Sequence, residues 1–185
     1  MPRRIPVELA KCYKLLNHGP VTIVTSAHQG QDNVMAASWA MPLDFDPPKV
    51  VVVIDANTLT RKWVDASREF GLQIPSRAFA TQTLAVGSVG GIDGDKFARL
   101  GIETFAAEKI AAPMVKNCVA WLECRVIPDA SQRYDLFIAE VVAAYADDDV
   151  FSNGRWHFPP DPSRRTVHYM AGGEFFATGE SFQTD

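Results

Sequence analysis

The sequence predicts a mainly β protein with a few helices, built as an antiparallel β-barrel. Most predicted strands come in neighbouring pairs without regularly alternating helices, which disfavours a doubly wound parallel sheet. The clearest strand, Cys118–Ile127, alternates two sets of side chains with period 2, so that one face is apolar and the other mixed. With 185 residues, of which 47% are hydrophobic and 22% charged, the chain can build one sizeable core.

The first half of the chain is predicted to hold a short helix, several strands and a capped helix. Apolar residues at helical spacing predict an amphipathic helix over residues 9–16, which Gly19-Pro20 ends. The hydroxyl of Thr58 or Thr60 is expected to cap a helix over residues 61–67 by accepting a free backbone N–H. Runs rich in β-branched residues predict strands over residues 21–26, 34–40, 49–54 and 70–74.

The second half is predicted to hold two helices, over residues 78–86 and 95–100, followed by two long strands over residues 118–127 and 136–145. A final strand pair is predicted over residues 166–170 and 175–178. No internal repeat or low-complexity linker interrupts the pattern, so residues 1–185 are assigned to a single domain.

Charge and cysteine content exclude several classes of protein. The net charge of −4 argues against a general affinity for nucleic acid or an anionic membrane, because such binding needs positive charge facing phosphates. The longest apolar run, near residues 50–54, is far shorter than the roughly 20 residues of a membrane helix. Cys12, Cys118 and Cys124 are odd in number and lack CxxC spacing, so they are interpreted as reduced thiols of a cytoplasmic protein.

The usual motifs of metal, nucleophile and nucleotide sites are absent from the sequence. The four histidines are far apart, and there is no HExxH pair, Cys/His cluster or GxSxG turn. Asp93-Gly94-Asp95 resembles the start of a calcium loop, but Thr104 stands where the loop needs Glu. The glycine-rich stretch over residues 90–96 is neither a P-loop nor a GxGxxG turn. No metal ligand and no catalytic residue is therefore assigned.

One segment, residues 57–62, has the composition of an anion site. It follows a buried strand and begins a predicted helix. Free backbone N–H groups, two threonine hydroxyls and the cations Arg61 and Lys62 could therefore hold a phosphate. Helix capping combined with a solvated helix face would give the same pattern, so both interpretations stay open.

Short motifs in a fixed order resemble those of the flavin reductase-like proteins, which have an FMN-binding split barrel. Asn33-Val34-Met35-Ala36-Ala37-Ser38-Trp39 resembles N-x-M-T-x-S-W, and Asp46-Pro47-Pro48-Lys49-Val50 resembles the D-P-P-x-V segment that follows it. The others are Asn57-Thr58-Leu59-Thr60, Asp95-Lys96-Phe97, Ala112-Pro113-Met114, Leu122-Glu123-Cys124-Arg125-Val126 and Phe137-Ile138-Ala139-Glu140-Val141. The motifs span about residues 15–145, and the flavoredoxin-like subgroup is the most similar one.

The sequence departs from the family's motifs at four positions. Ala36 replaces a threonine, and Gly90 replaces the serine of a Ser-Gly pair. Tyr134 replaces a histidine, and Ala139 replaces a glycine. These changes concern the contacts to nicotinamide more than the contacts to flavin.

The resemblance implies a homodimer of Greek-key split barrels, each with FMN near the dimer interface. Residues 35–39 are expected along the isoalloxazine, and residues 55–61 around the ribityl-phosphate, with Arg61 opposing its charge. Lys96 stands where the family has a lysine close to the flavin. The cofactor-binding residues assigned in this way are Met35, Ala36, Ala37, Ser38, Trp39, Asp55, Ala56, Asn57, Thr58, Thr60, Arg61, Lys96 and Phe175.

Some of these assignments have alternatives. Trp39 lies beside the flavin, which is the preferred assignment, or in the barrel core. Lys96 lies beside the flavin or is an exposed lysine of the first helical turn. Phe175 or Phe176 covers the flavin ring or belongs to the dimer core. Residues 150–185 are a candidate dimer-contacting extension of the domain.

The function implied is that of an NAD(P)H:flavin reductase, in which NADH or NADPH passes a hydride to flavin N5. A monooxygenase or another redox protein would be its partner. Lys96 is the first choice for stabilising reduced flavin at N1–O2. The alternatives are an FMN electron carrier reduced by a protein partner, which Tyr134 and Gly90 motivate, and a non-enzymatic flavin-binding module.

Overall fold

The computed structural model describes residues 2–90 and 94–184, and most of its regular structure is β. Gly91 and Asp93, which the glycine-rich stretch and the calcium-loop resemblance include, lie outside the described residues. The strands of the described residues are β1 (Arg4–Pro6), β2 (Thr22–His28), β3 (Gln31–Ala37), β4 (Ala40–Phe45), β5 (Pro48–Val53), β6 (Glu69–Pro75), β7 (Thr104–Phe105), β8 (Met114–Val115), β9 (Cys118–Ile127), β10 (Leu136–Asp147), β11 (Phe151–Ser152), β12 (Arg155–Trp156), β13 (Val167–Ala171) and β14 (Glu174–Ala177).

The helices of the described residues are short. The α-helices are α1 (Leu59–Ser67), α2 (Ala80–Ser88) and α3 (Lys96–Leu100). Single 3₁₀ segments lie at Leu9–Leu15, Arg77–Phe79, Ala130–Tyr134 and Pro162–Arg164. The predicted N-terminal helix is therefore a 3₁₀ helix, and Thr58, rather than Thr60, caps α1 by accepting the N–H of Arg61 at 3.1 Å.

One antiparallel sheet organises the molecule. Its strands follow the order β3-β2-β6-β9-β10-β5-β4, and β1 pairs with the C-terminal end of β10. The strands β3 and β4 are thus the two ends of this path, although they are neighbours in sequence. The mainly β, antiparallel class predicted from the sequence is confirmed.

The predicted strand over residues 34–40 is wrong as a single element. The strand β3 ends at Ala37, the chain bends at Ser38 and Trp39, and β4 begins at Ala40. The chain then turns at residues 46–47 and returns as β5, which pairs with β4. Residues 33–37 of the first motif therefore lie in β3, residues 38–39 form the bend, and β4 follows the motif at the other end of the sheet.

The strand β9 fulfils its period-2 pattern. Its apolar set belongs to the main core, in which Leu122 and Cys124 are fully buried. On the opposite face, Trp121 enters a second core cluster. The carboxylate of Glu123, which is also buried, accepts the backbone N–H groups of Glu108 at 2.9 Å and Lys109 at 2.5 Å. A buried charge is tolerated there because hydrogen bonds replace its lost hydration.

The three cysteines are free and buried, as the sequence predicts. Burial raises the pKa of the Cys12 thiol to about 12 and the pKa values of Cys118 and Cys124 well above their usual range. A thiol is inert in its protonated form, so these residues serve packing.

Helices cover one end of the sheet. The helix α1 packs against β2 and β3, and both α2 and α3 pack against β3. The hairpin β13–β14 is tied to the start of β2 through the N–H of Val21, which donates to the carbonyl of Val167 at 2.9 Å. The space between β3, these helices and this hairpin contains the candidate site.

Candidate functional site

Two adjoining cavities follow the covered edge of the sheet. The first, the polar cavity, has a volume of about 260 Å³ and lies between β3, the start of α1 and the end of α2. Its lining residues are Asn33, Met35, Ala36, Asn57, Thr58, Leu59, Thr60, Val86, Gly87, Ser88, Val89, Gly90 and Lys96.

The second, the aromatic cavity, has a volume of about 170 Å³ and lies between β3, α2 and the hairpin β13–β14. The rings of Tyr169 and Phe175, which are paired in the hairpin register, pack 5.2 Å apart and form one wall. The other lining residues are Val21, Ala36, Ser38, Thr83, Leu84, Gly87 and Ser88.

The two cavities share Ala36, Gly87 and Ser88, which are all small. A Cβ added at Gly87 would lie 3.5 Å from the Cβ of Ala36, which is ordinary van der Waals contact. Each cavity alone is below the roughly 300 Å³ at which small-molecule sites begin. A single ligand that fills both cavities would have to pass this neck.

The start of α1 supplies the donors of the polar cavity. Helix geometry leaves the first backbone N–H groups, those of Leu59 and Thr60, without intrahelical acceptors. Together with the helix dipole, such groups favour an anion. The amide of Asn33, on β3, donates to the hydroxyl of Thr60 at 2.8 Å. Both side chains are buried, so this bond holds two of the lining residues in fixed positions.

Lys96 brings a positive charge to the same cavity. It is the first residue of α3, which Asp95 caps by accepting the N–H groups of Phe97 and Ala98. The Lys96 side chain is only 5% exposed, and its ammonium donates to the carbonyls of Val34 at 3.0 Å and Val86 at 3.1 Å. The alternative of an exposed first-turn lysine is therefore wrong, because the amine reaches inward between β3 and α2.

Arg61 is held outside both cavities. Its guanidinium pairs with Asp65 and Asp135, each at 2.8 Å, and donates to the carbonyl of Gln132 at 2.9 Å. It also lies over the ring of Phe137, 4.7 Å from the centroid. The structure thus joins Arg61 to the segment before β10 and does not bring it to the predicted phosphate position.

The predicted site residues separate into three groups. Those that line the polar cavity are Met35, Ala36, Asn57, Thr58, Thr60 and Lys96. Those that line the aromatic cavity are Ala36, Ser38 and Phe175. Those that line neither cavity are Ala37, Trp39, Asp55, Ala56 and Arg61.

Two of the aromatic assignments can be refined. Trp39 is 72% exposed, so its placement in the barrel core is wrong for the isolated chain. Of the two phenylalanines, Phe175 lines the aromatic cavity, whereas Phe176 is on the other face of β14 and is 55% exposed. The alternation of the strand separates these neighbours.

Sequence reasoning missed the contribution of α2. Gly87 and Ser88 form the neck, and Thr83 and Leu84 line the aromatic cavity, but none of them belongs to a motif. Tyr169 was missed as well. Asn33 was part of the first motif, so a signal for it existed.

Other kinds of site are not supported by the described residues. Within residues 2–90 and 94–184, no group of three or more His, Cys, Asp or Glu side chains could hold a metal ion. No helix in this part of the chain combines the length and hydropathy that a membrane span requires.

Comparison with known proteins identifies the fold family. The family described as "Flavin reductase like domain" matches residues 16–170. The uncharacterized protein YddH of Escherichia coli is 42% identical over 97% of both chains. The reductase component of a 4-nitrophenol 4-monooxygenase/4-nitrocatechol 2-monooxygenase from Rhodococcus opacus is 28% identical over 76% of this chain and 74% of its own.

Solved structures agree with this result. The FMN-binding domain of a flavin reductases-like enzyme from Shewanella baltica superimposes with a TM-score of 0.95 at 46% identity, over 100% of this chain and 98% of its own. Flavoredoxin of Desulfovibrio vulgaris superimposes with a TM-score of 0.78 at 26% identity, over 90% of both chains. The sheet therefore has the split-barrel architecture of these proteins. The chain belongs to the flavin reductase-like domain family.

Proposed function

We propose that the two cavities together bind FMN. The fit rests on the donor set of the polar cavity. The start of α1 and the hydroxyl of Thr60 suit a phosphate, whereas Tyr169 and Phe175 form a flat apolar wall that suits a ring system. The ribityl chain would pass the neck at Ala36 and Gly87. The single observation that carries the proposal is this pairing of an anion site with an aromatic wall through one neck.

The proposed activity is that of an NAD(P)H:flavin oxidoreductase. The chemistry that FMN would supply when held there is acceptance of a hydride at N5 and onward transfer of electrons. The chain's own residues bind and orient the flavin. The side chain of Lys96 holds a positive charge between β3 and α2, where it would favour an anionic flavin edge. The ring pair Tyr169 and Phe175 would shield one side of the bound flavin from water.

A protein-linked electron carrier is the second candidate function. Its support is the likeness to flavoredoxin of Desulfovibrio vulgaris, at 26% identity. Tyr134, which replaces a family histidine, is 69% exposed and lines neither cavity. Gly90 lines the polar cavity without a side chain. Neither residue offers a polar side chain to the two cavities, which favours the electron carrier. The reductase candidate is supported by the likeness to the Rhodococcus opacus reductase component.

A homodimer is part of the same proposal. Trp39, Met41, Leu43 and Phe45 are each about half or more exposed. Trp39 directly precedes β4, in which the other three alternate with less exposed side chains, so the four form one apolar stripe along an unpaired sheet edge. A second copy of the chain would remove this stripe from water. The same interface would bring Trp39 to the flavin, which it does not reach through either cavity.

A visible spectrum tests the proposal. The purified protein is mixed with FMN, freed of unbound flavin and titrated anaerobically with NADH and then NADPH. The reductase function predicts bound flavin bands that bleach with one of the two nucleotides. Bound flavin that keeps its colour would support the electron carrier. Absence of bound flavin, or protein that leaves NAD(P)H oxidation at the no-enzyme rate with FMN present, would contradict the reductase function.

A further inference from the structure

Two threonines at the start of α1 line the polar cavity, but their hydroxyls are used differently. The Thr58 hydroxyl accepts the N–H of Arg61 at 3.1 Å and donates its own hydrogen to the carbonyl of Asp55 at 2.8 Å. A hydroxyl has one hydrogen to donate. Thr58 therefore has none left for a ligand, and its role is to form the turn and cap the helix.

The Thr60 hydroxyl, in contrast, still has its hydrogen to donate. It accepts a hydrogen from the amide of Asn33 at 2.8 Å, and its own hydrogen has no acceptor among the described residues. Thr60 is 1% exposed and Asn33 is 4% exposed, so neither side chain moves freely. Because the amide occupies one side of the Thr60 oxygen, the O–H bond is directed away from Asn33. The polar cavity, which both residues line, is the space into which this O–H bond can point.

We propose that Asn33 is a positioning residue, which makes the Thr60 hydroxyl the donor to the phosphate of FMN. This inference rests on the proposed function and names the donor within that site. The bond from Thr60 would join the backbone N–H groups of the first turn of α1. A hydrogen bond to a charged oxygen is stronger than one between neutral groups, so the contribution concerns the phosphate alone.

The ratio of FMN affinity to riboflavin affinity isolates this contribution, because riboflavin lacks the phosphate. Dissociation constants for both flavins are measured by the quenching of flavin fluorescence. Thr60→Val keeps the shape and removes the hydroxyl, and we expect a loss of about 10- to 100-fold for FMN with little change for riboflavin. Thr60→Ser restores the hydroxyl and should recover most of the ratio.

Thr22→Val is the matched control. It removes a hydroxyl that is buried like that of Thr60 and donates to the carbonyl of Ala37 at 2.8 Å, but Thr22 lines neither cavity. It should lower the melting temperature through the lost hydrogen bond but leave the affinity ratio near that of the wild type. If Thr22→Val changes the ratio as much as Thr60→Val does, or if Thr60→Val leaves the ratio unchanged, the inference is overturned.

Asn33→Asp tests the positioning role, with binding measured at pH 8. An ionised carboxylate can only accept, so it would draw the Thr60 hydrogen away from the cavity and add a negative charge beside the phosphate. We expect a loss of FMN affinity larger than that of Thr60→Val, again with riboflavin little affected. A wild-type ratio in Asn33→Asp would overturn the role of Asn33. Wild-type protein that binds neither flavin would instead show that the proposed function has failed, and this inference would fail with it.

Discussion

The two ends of the central sheet differ in what covers them. The helices α1, α2 and α3 pack over β3, and the strand contributes small and polar residues to the two cavities. At the other end, β4 pairs only with β5 within the described sheet, and its apolar stripe from Trp39 to Phe45 is exposed. Only the bend at Ser38 and Trp39 separates the two strands in sequence.

This difference shows how two strands that are joined by a two-residue bend can serve two purposes. Residues before the bend build a ligand site, because helices enclose them. Residues after the bend pack on the 3₁₀ helix Leu9–Leu15, where the ring of Tyr13 lies 6.1 Å from that of Phe45. Their strand still keeps one unpaired edge and an exposed apolar stripe, which natural proteins usually protect. We infer that the covered end binds the cofactor and the open end binds a second copy.

The largest effect is expected at the open end. Leu43→Glu together with Phe45→Glu should convert a dimer to monomers. Burial of each such side chain contributes about 1.5–3 kcal/mol, and each occurs twice in a symmetric dimer. Dimerisation should weaken by more than about 1000-fold, as measured by sedimentation equilibrium. Thr81→Glu, on the exposed face of α2, controls for added charge and should stay dimeric. A wild-type protein that is monomeric at tens of micromolar would contradict the prediction.

The next effect is expected at the covered end, where Gly87 forms the neck. Gly87→Ala should be tolerated, since its Cβ meets only Ala36 at 3.5 Å, and it should stabilise α2 slightly. Gly87→Val adds methyl groups that fill the neck, so FMN affinity should fall by roughly 100-fold without loss of the dimer. Ala85→Val, in the same helix but outside both cavities, controls for helix propensity. Equal flavin affinity in Gly87→Val and the wild type would show that the ligand does not pass between the cavities.

A smaller effect is expected at Arg61, where a contribution to stability can be separated from a contribution to FMN binding. Arg61→Ala removes two ion pairs and the hydrogen bonds to the carbonyls of Ile54 and Gln132, and the side chain is only 14% exposed. We expect a loss of about 2 kcal/mol in the free energy of unfolding by urea. The ratio of FMN to riboflavin affinity should not change, because the guanidinium points away from the cavity. A selective loss of FMN would restore the role that the sequence predicts for Arg61.

The smallest effect concerns the hairpin that walls the aromatic cavity. His18 bonds to Thr166 at 2.9 Å just before β13, and burial, with a smaller contribution from His168, lowers its pKa to about 4. The unfolded chain binds this proton near pH 6.5, whereas the folded chain does not. Stability is therefore fully present above pH 6.5 and declines as the pH falls towards 4, by about 1 kcal/mol at pH 5.5.

His18→Gln should abolish this part of the pH dependence while keeping a polar group opposite Thr166. The measurement is the free energy of unfolding between pH 7.5 and 4.5 for both proteins. If the difference between them is constant with pH, His18 does not titrate in the way that its burial indicates. Dimerisation at the open end should be the same in both proteins, because the hairpin lies at the covered end.

The sequence predicted the fold well where the signals are local. The bounds of β9 were predicted correctly because the strand alternates over ten residues with both faces distinct. The strand β4 was missed although Met41, Leu43 and Phe45 alternate. Pro42 argues against a strand in general, but an edge strand tolerates proline because one of its sides makes no ladder bonds. The three residues of β1 are strand only because β10 pairs with them.

The site could be predicted only as far as motifs reach. Resemblance brought Met35, Thr60 and Lys96 into one set, and the structure places them around one cavity. It could not predict the partners of Arg61, because Asp135 is 74 positions away in sequence. Nor could it predict Gly87, since a glycine near a helix end is normally a helix terminator rather than a neck. Both the position of the Arg61 side chain and the role of Gly87 depend on contacts that form only on folding.

The burial of the three cysteines makes them reporters of the whole fold. Since Cys12 is in the N-terminal 3₁₀ helix and Cys118 and Cys124 are in the central strand β9, an alkylating reagent can reach them together only when the core opens. The rate at which all three become labelled in native buffer therefore counts global opening events, without any engineered probe. Because Cys12 and the β9 thiols are in different elements, mass spectrometry of singly labelled chains would reveal whether the N-terminal segment detaches before the sheet.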